Sequence, residues 1–337
     1  MNILVTGATG FIGFHLVTFL SSKKYQVLAL LRNPKKAAQL SALNISIIHK
    51  DIRELDSSIS KEIKVDAIFH LAGLRGEGRG SQKAYQEINI EGTRKLLSAF
   101  GKRIQRFIYC SSVSVYGHPL NLPADEEHQC SPEKIYGWSK FQAEELVQEI
   151  CLQQKIPMTI IRPVISYGPY DYYGMITKLF KLFNTQRFFM IGNGRNRVHL
   201  VYISDLIEGF YLALKKPQAE GEKFIIAGKR PIMIKDLLFL IATELNRKVP
   251  RLKIPIRFAK LCGLFMEKVY ALAPGIFSGE PIVTRDKVDI LTVDRCYSID
   301  KAAKLLGYNP KVDYNEGIKL TAQWLRGNNI IGNNAHS

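Results

Sequence analysis

Residues 1–16, MNILVTGATGFIGFHL, combine an apolar run, three glycines spaced three apart and the start of a second apolar pattern. Ile3, Leu4 and Val5 read as a short buried strand, and the run from Phe11 to Leu20 has helical spacing, so Thr6 to Gly10 form the turn between them. A glycine turn of this kind brings backbone close to a ligand. Gly7 permits the tight turn, Gly10 lets backbone N–H groups approach a pyrophosphate, and Gly13 lets the helix pack on the strand. The helix N-terminus attracts the negative charge. A dinucleotide is therefore expected here, with Thr9, Phe11 and Ile12 lying beside the glycines. A purely structural turn is the competing reading, and it loses ground once a full βαβ context follows.

That context does follow. Strand-like runs at Ile3–Val5, Val27–Leu31, Ile45–Ile48, Ala67–Leu71, Phe107–Tyr109 and Thr159–Ile161 alternate with helix-like segments. Repeated βαβ units give a parallel sheet with helices on both faces, so the fold class is α/β, a doubly wound Rossmann-type sheet. Leu200–Ile203, a helical stretch over Asp205–Leu214 and Lys223–Ala227 are expected to return the chain to that sheet. Residues 1–165 and 195–228 are read as the dinucleotide-binding domain. Residues 166–194 and 229–326 are read as a smaller, discontinuous substrate domain, and 327–337 as a polar tail that frays.

Composition bounds the function. With 337 residues, 46% hydrophobic and 23% charged, the chain is an ordinary soluble globular enzyme in make-up. Cys110, Cys130, Cys151, Cys262 and Cys296 are odd in number and lack ligand spacing, so no disulfide framework or metal site is expected, and a reducing cytoplasm fits. The glycine turn interrupts any signal-peptide pattern after five positions. The net charge of +17 comes from scattered residues such as Lys35, Lys36, Lys215, Lys216 and Arg285. No basic block or interleaved aromatic pattern marks a nucleic-acid footprint.

The end of the second strand states the cofactor preference. Leu31, Arg32 and Asn33 stand where an acidic residue would bind ribose hydroxyls, and Arg32 suits a 2′-phosphate, so NADP is favoured over NAD. Stacking on adenine or facing solvent are the other readings of Arg32. Asp51 and Ile52 follow the third strand and flank the adenine, with a helix N-cap role competing for Asp51.

The acid–base chemistry is read from IYGWSK, residues 135–140. Tyr136 and Lys140 are four apart at a helix start and share one face, so the ammonium is expected to lower the phenol's pKa from ~10. The preceding FIYCSSVSVYG ends a strand in hydroxyls at Ser111, Ser112 and Ser114, of which Ser112 is chosen to bond the reacting oxygen.

The ordered set TGATGFIG, IFHLAG, INIEGT, CSSVSVYG, YGWSK and RPVISYGP resembles the extended short-chain dehydrogenase/reductase family over nearly the whole chain. The resemblance implies Ser112, Tyr136 and Lys140 as the catalytic triad, with Tyr136 and Lys140 also against the cofactor. It further implies cofactor contacts from the backbone of Leu71, Ala72 and Gly73, support from Asn89, and Arg162 and Pro163 beside the nicotinamide. A homodimer through helices including 136–150 is implied as well.

Within the family, sugar-nucleotide enzymes carry an Arg for the diphosphate in a TRDF-like stretch; here Val198 and His199 occupy that place, with Arg195 or Arg197 as substitutes by a register shift. The C-terminal half, with the apolar stretch 254–277 interrupted by Pro274, resembles the hydroxysteroid dehydrogenase and dihydroflavonol reductase branches. The leading expectation is an NAD(P)-dependent oxidoreductase of a small apolar substrate, steroid- or flavonol-like. The alternative is a nucleotide-sugar epimerase or dehydratase with tightly bound NAD. A dinucleotide-sensing module without catalysis is disfavoured by the intact Ser112, Tyr136 and Lys140. For the apolar stretch two readings stay open: helices walling a substrate pocket, which is favoured, and a membrane-surface face aided by the basic charge.

Overall fold

The computed structural model describes residues 1–75, 80–185, 189–249, 252–272, 281 and 283–332. Through Pro163 the chain runs β1 (Asn2–Thr6), α1 (Phe11–Ser22), β2 (Gln26–Leu31), β3 (Ser46–His49), α2 (Ile59–Glu62), β4 (Ala67–His70), α3 (Gln82–Tyr85), α4 (Gly92–Phe100), β5 (Arg106–Cys110), α5 (Ile135–Gln154) and β6 (Met158–Pro163). It continues through β7 (Ile165–Tyr167), α6 (Met175–Asn184), β8 (Met190–Ile191), β9 (Arg197–Val198), β10 (Leu200–Tyr202), α7 (Ile203–Lys215) and β11 (Lys223–Ile226). The last part comprises β12 (Ile232–Met233), α8 (Ile234–Glu244), β13 (Lys253–Ile254), α9 (Ile256–Leu272), α10 (Arg285–Thr292), α11 (Asp300–Leu306) and α12 (Tyr314–Gly327).

These elements form two compact units. The first comprises Met1–Val164, Ile203–Ala227 and Ser298–Pro310. Its sheet has seven parallel strands in the order β3-β2-β1-β4-β5-β6-β11. Central strands are mostly apolar: Ile3, Leu4, Val5, Ile68, Phe69, Phe107, Ile108, Ile160 and Ile161 are sealed from solvent, as strands covered on both faces require. Leu96, Leu97 and Phe100 of α4 and Leu146, Val147 and Ile150 of α5 close one side of that core, while α1 packs with α7. The strand order reverses between β1 and β4, and sheets of this kind bind ligands at the carboxyl ends beside that reversal.

The second unit comprises Ile165–Tyr202, Gly228–Tyr297 and Lys311–Ser337. Three two-stranded pairs, β7 with β10, β9 with β12 and β8 with β13, accompany α8 packed with α6 and α12, and α9 packed with α10.

Several boundaries differ from the sequence expectation. Leu200–Tyr202 does not rejoin the main sheet; it pairs with β7, and only β11 returns to extend the sheet beyond β6. For that reason 195–202 belong to the second unit. Residues 298–310, expected in the substrate domain, belong to the first, because α11 packs on β11 and α7. Of the expected tail, Ile331 is buried; residues 333–337 and Pro274 lie outside the described residues.

Candidate active site

The turn after β1 is built as glycines alone allow. Gly7 has φ +70°, and a Cβ on Gly13 would come within 2.1 Å of the Gly7 carbonyl oxygen. A side chain at Gly13 would push the start of α1 away from β1, and one at Gly7 would meet the backbone of Leu71 and Ala72 within 2.9 Å and strain the positive φ. Gly10 N–H donates to Gly7 O at 2.9 Å, and α1 begins at Phe11 with no side chain capping it. The first-turn N–H groups, including those of Ile12 and Gly13, have no intrahelical acceptors, which fits a pyrophosphate. Thr9, Phe11 and Ile12 are partly exposed around the turn.

At the end of β5, Ser112 opens a short 3-10 turn over Val113–Tyr116, its Oγ accepting from Ser114 N–H at 3.1 Å. A Cβ on Gly137 would come within 2.5 Å of Ser114 O, so glycine there lets the start of α5 press against this turn. That approach brings Tyr136 into a side-chain hydrogen bond with Ser112. The hydroxyls of Ser111 and Ser114 are buried without a hydrogen-bond partner among the described residues. Buried hydroxyls left open at a strand end also fit a polar ligand.

One helical turn on, Lys140 is buried. Its Nζ donates to Cys110 O at 2.6 Å and to Tyr109 Oη at 3.2 Å, and lies 4.6 Å from the centre of the Tyr109 ring. Burial pulls the ammonium below its ordinary pKa. The expected lowering of the Tyr136 phenol by Lys140 is not found. Burial and the neighbouring Cys110 thiol raise it instead, and the Ser112 hydrogen bond and the Arg75 cation only partly oppose them. The reason is local: the ammonium is drawn onto a carbonyl and a second phenol, while the Tyr136 anion would be poorly hydrated.

Two buried polar assemblies hold this site, and the sequence reading caught neither in full. Leu71 and Ala72 N–H donate to Thr6 Oγ1 at 3.2 and 3.1 Å, and Thr6 Oγ1 bonds His70 Nδ1 at 2.7 Å. His70 Nε2 bonds Thr93 Oγ1 at 2.8 Å, and Thr93 Oγ1 donates to Asn89 O at 2.6 Å. With Thr93 donating onward, it accepts from Nε2–H, so the imidazole is neutral with Nδ1 as acceptor. Burial, with the Lys140 charge second, pushes its pKa down to about 3. Asn89 Nδ2 donates to Leu74 O and Ser139 Oγ, its Oδ1 accepts from Leu74 N–H, and Ser139 Oγ donates to Tyr136 O. A chain of hydrogen bonds thus ties the backbone at 71–74 to the helix that carries Tyr136.

The second assembly is Arg162, 1% exposed at the end of β6. Its Nε and Nη2 donate to the two Glu144 carboxylate oxygens at 3.0 and 2.6 Å, and Nη1 donates to Tyr116 Oη at 2.6 Å. Burial works against the charge, but Glu144 outweighs it and holds the guanidinium above its ordinary range. Arg162 therefore braces β6, α5 and the 113–116 turn, while Pro163, also buried, ends the strand.

Elsewhere, Arg32 is exposed directly after β2. Asp51 caps the turn over Ile52–Glu54 and forks with Arg53, whose bonds hold its carboxyl below the ordinary range; Ile52 is buried. In the second unit, His199 is buried, with Nε2 bonded to Gly228 O and Nδ1 accepting from Tyr297 N–H, and Arg197 pairs with Asp294. The two residues at the expected diphosphate position thus include one apolar side chain and one already used for packing.

A model of the NAD dependent epimerase/dehydratase family matches residues 3–227. Human dTDP-D-glucose 4,6-dehydratase is 30% identical over 349 residues, covering 97% of this chain and 90% of that protein. The 2-alkyl-3-oxoalkanoate reductase of Stenotrophomonas maltophilia (strain K279a) is 28% identical over 338 residues, covering 95% and 98%. UDP-glucuronic acid 4-epimerase from Bacillus cereus, solved with UDP-glucuronic acid and NAD, superposes with a TM-score of 0.77 at 26% identity, covering 97% and 99%. The chain belongs to the NAD dependent epimerase/dehydratase family, among the extended short-chain dehydrogenase/reductases, and is an enzyme of that family.

Proposed function

We propose that this enzyme acts at a secondary alcohol or ketone carbon of a sugar carried on a diphosphate, as an epimerase or dehydratase. The observation that carries this is the Tyr136–Ser112 hydrogen bond beside the buried Lys140 ammonium at the end of β5. A substrate oxygen taking its place between the two hydroxyls accepts a hydrogen bond from Ser112 while Tyr136 removes or returns its proton. The Lys140 ammonium stays on Cys110 O and Tyr109 Oη beside the pair, and Asn89, Ser139 and Arg162 hold α5 in position. When bound, a nicotinamide dinucleotide supplies the hydride acceptor and donor. Gly7, Thr9, Gly10, Phe11, Ile12 and Gly13 would hold its pyrophosphate, with Asp51 and Ile52 at the adenine, Leu71 to Gly73 along it, and Tyr136, Lys140 and Pro163 at its nicotinamide end. NADP in place of NAD rests on Arg32 alone, and the solved relative carrying NAD weighs against it. The first unit would bind the dinucleotide.

The relatives reverse the order of the sequence expectation, which put an apolar steroid- or flavonol-like substrate first. Dehydratases and epimerases of sugar nucleotides stand prominently among them. A reductase of an apolar ketone keeps one specific support, Val198 and the sealed His199 in place of a diphosphate-binding Arg, and one relative named as a reductase. Purified protein decides between them. NAD released only on denaturation, together with a change in UDP- or dTDP-sugars followed by NMR, is the expected result. Nucleotide-free protein that oxidises NADPH with an apolar ketone would replace this reading with the reductase.

A further inference from the structure

Helix α9 carries apolar residues on its covered side and a second apolar stripe on its exposed side. A surface helix normally turns its apolar stripe inward and its polar residues to water. The covered side holds Ala259, buried, and Met266 and Tyr270, half-buried, together with close and charged contacts: a Cβ on Gly263 would come within 2.7 Å of Arg285 N, Glu267 Oε1 and Oε2 accept from Arg285 N–H and Nε–H at 2.7 and 2.9 Å, and Lys260 pairs with Asp289 at 2.7 Å. Phe258, Leu261, Phe265 and Leu272 are 58, 63, 69 and 85% exposed. At ~100° per residue they fall within an arc of about 60° on the side away from those contacts. Phe189 and Leu252, also exposed, lie at the β8–β13 pair that leads into α9, where Met190 N–H donates to Leu252 O.

The charges around the stripe select its partner. Arg257 and Lys268 fall on its shoulder, both exposed, and neither has an ion-pair partner among the described residues; Lys253 precedes the helix in a chain of net charge +17. A second copy packed antiparallel on this stripe about a two-fold axis would bring these cations onto the same side of the contact, against each other. An apolar surface edged with anions accepts both features. We propose that α9 docks this protein on an anionic phospholipid bilayer, lying in the interfacial layer with Phe258, Leu261, Phe265 and Leu272 among the acyl chains and Arg257 and Lys268 at the headgroups. It lies on the surface without spanning: among the described residues no helix is long and apolar enough to cross a membrane.

The test is flotation of the full chain with vesicles of phosphatidylcholine alone and of phosphatidylcholine mixed with phosphatidylglycerol. Binding to the mixed vesicles that weakens with added salt is expected. Phe258→Ser with Phe265→Ser should lower the partitioning about tenfold or more, and Arg257→Gln with Lys268→Gln about fivefold per charge removed. Leu152→Ser, an exposed apolar residue on α5, should change nothing and controls for general stickiness. Thermal unfolding of each variant, equal to that of the parent, shows that the fold is kept. Failure of the parent chain to float with either vesicle overturns the proposal. So does a shift from dimer to monomer in the Phe258→Ser, Phe265→Ser variant without a change in flotation, which would assign the stripe to a second copy.

Discussion

Helices α5 and α9, of 20 and 17 residues, place polar and apolar groups in opposite ways. On α5, Ser139, Lys140 and Glu144 are buried and every one has a hydrogen-bond partner inside the first unit, while on α9 Phe258, Leu261, Phe265 and Leu272 face out. Neither arrangement is what folding alone would select. Burying Lys140 and the Arg162–Glu144 pair removes charge from water, a cost that packed apolar residues would avoid. Exposing Phe265 forgoes the burial of a large aromatic. Where a chain departs from the stable pattern twice in opposite senses, the first departure marks fixed geometry around a reaction and the second marks a surface awaiting contact.

The largest expected effect falls on the α5 side. Tyr136→Phe should lower turnover by about 10²- to 10⁴-fold, with dinucleotide binding, followed by fluorescence titration, close to that of the parent. Retained turnover would remove Tyr136 from the acid–base role and with it the functional half of the comparison. Next, Glu144→Leu leaves the Arg162 guanidinium buried without its partner and should cost about 3–5 kcal/mol in urea unfolding. Adding Arg162→Met should return much of that. A double variant as weak as the single one would mean that the pair is not held as a unit.

His70 gives a smaller, pH-dependent effect. Its native pKa of about 3 lies below the ordinary 6.5, so the unfolded chain binds a proton that the folded chain refuses between those values. Its contribution is therefore complete above pH ~6.5 and is lost as pH falls toward 3, at about 1.4 kcal/mol per pH unit. Urea unfolding from pH 6.5 to 4 should fall more steeply for the parent than for His70→Gln by that amount, and equal slopes would contradict a neutral, sealed imidazole. The smallest effect belongs to α9. Phe265→Ser, at a site 69% exposed, should change stability by less than about 0.5 kcal/mol. A larger loss would show that the stripe already packs on this chain, and the contrast between the two helices would close.

How much of this was legible in sequence depended on range. Local patterns carried the glycine turn, all seven strands of the main sheet, Lys223–Ile226 included, and the i, i+4 spacing of Tyr136 and Lys140, because each is written within a few adjacent residues. Long-range choices were not written that way. Leu200–Tyr202 has the same apolar character whether it extends the sheet or pairs with β7. His70, within an apolar strand, carries no local sign that Thr6 and Thr93 wait on either side of it, 64 and 23 positions away. The lowering of Tyr136 by Lys140 failed for a related reason, since spacing fixes which face a cation shares but not which carbonyl takes it. The apolar stretch 254–277 was recognised as unusual, yet periodicity states only that a helix has two faces; which one meets the protein is decided by Gly263 and Glu267 against Arg285.

The split of the first unit across three chain segments has a consequence for synthesis. When Pro163 leaves the ribosome, six of the seven parallel strands exist and β6 ends the sheet as an open edge. Its partner β11 begins at Lys223, sixty positions later; at the usual translation rates it arrives about 3–12 s afterwards. During that interval Met158–Pro163, an unpaired and wholly apolar-flanked edge, is open to pairing with other nascent chains. Slowed growth at low temperature or a chaperone that binds extended segments should therefore govern yield, and a fragment ending near Val164 should aggregate even though it contains every residue assigned to the chemistry.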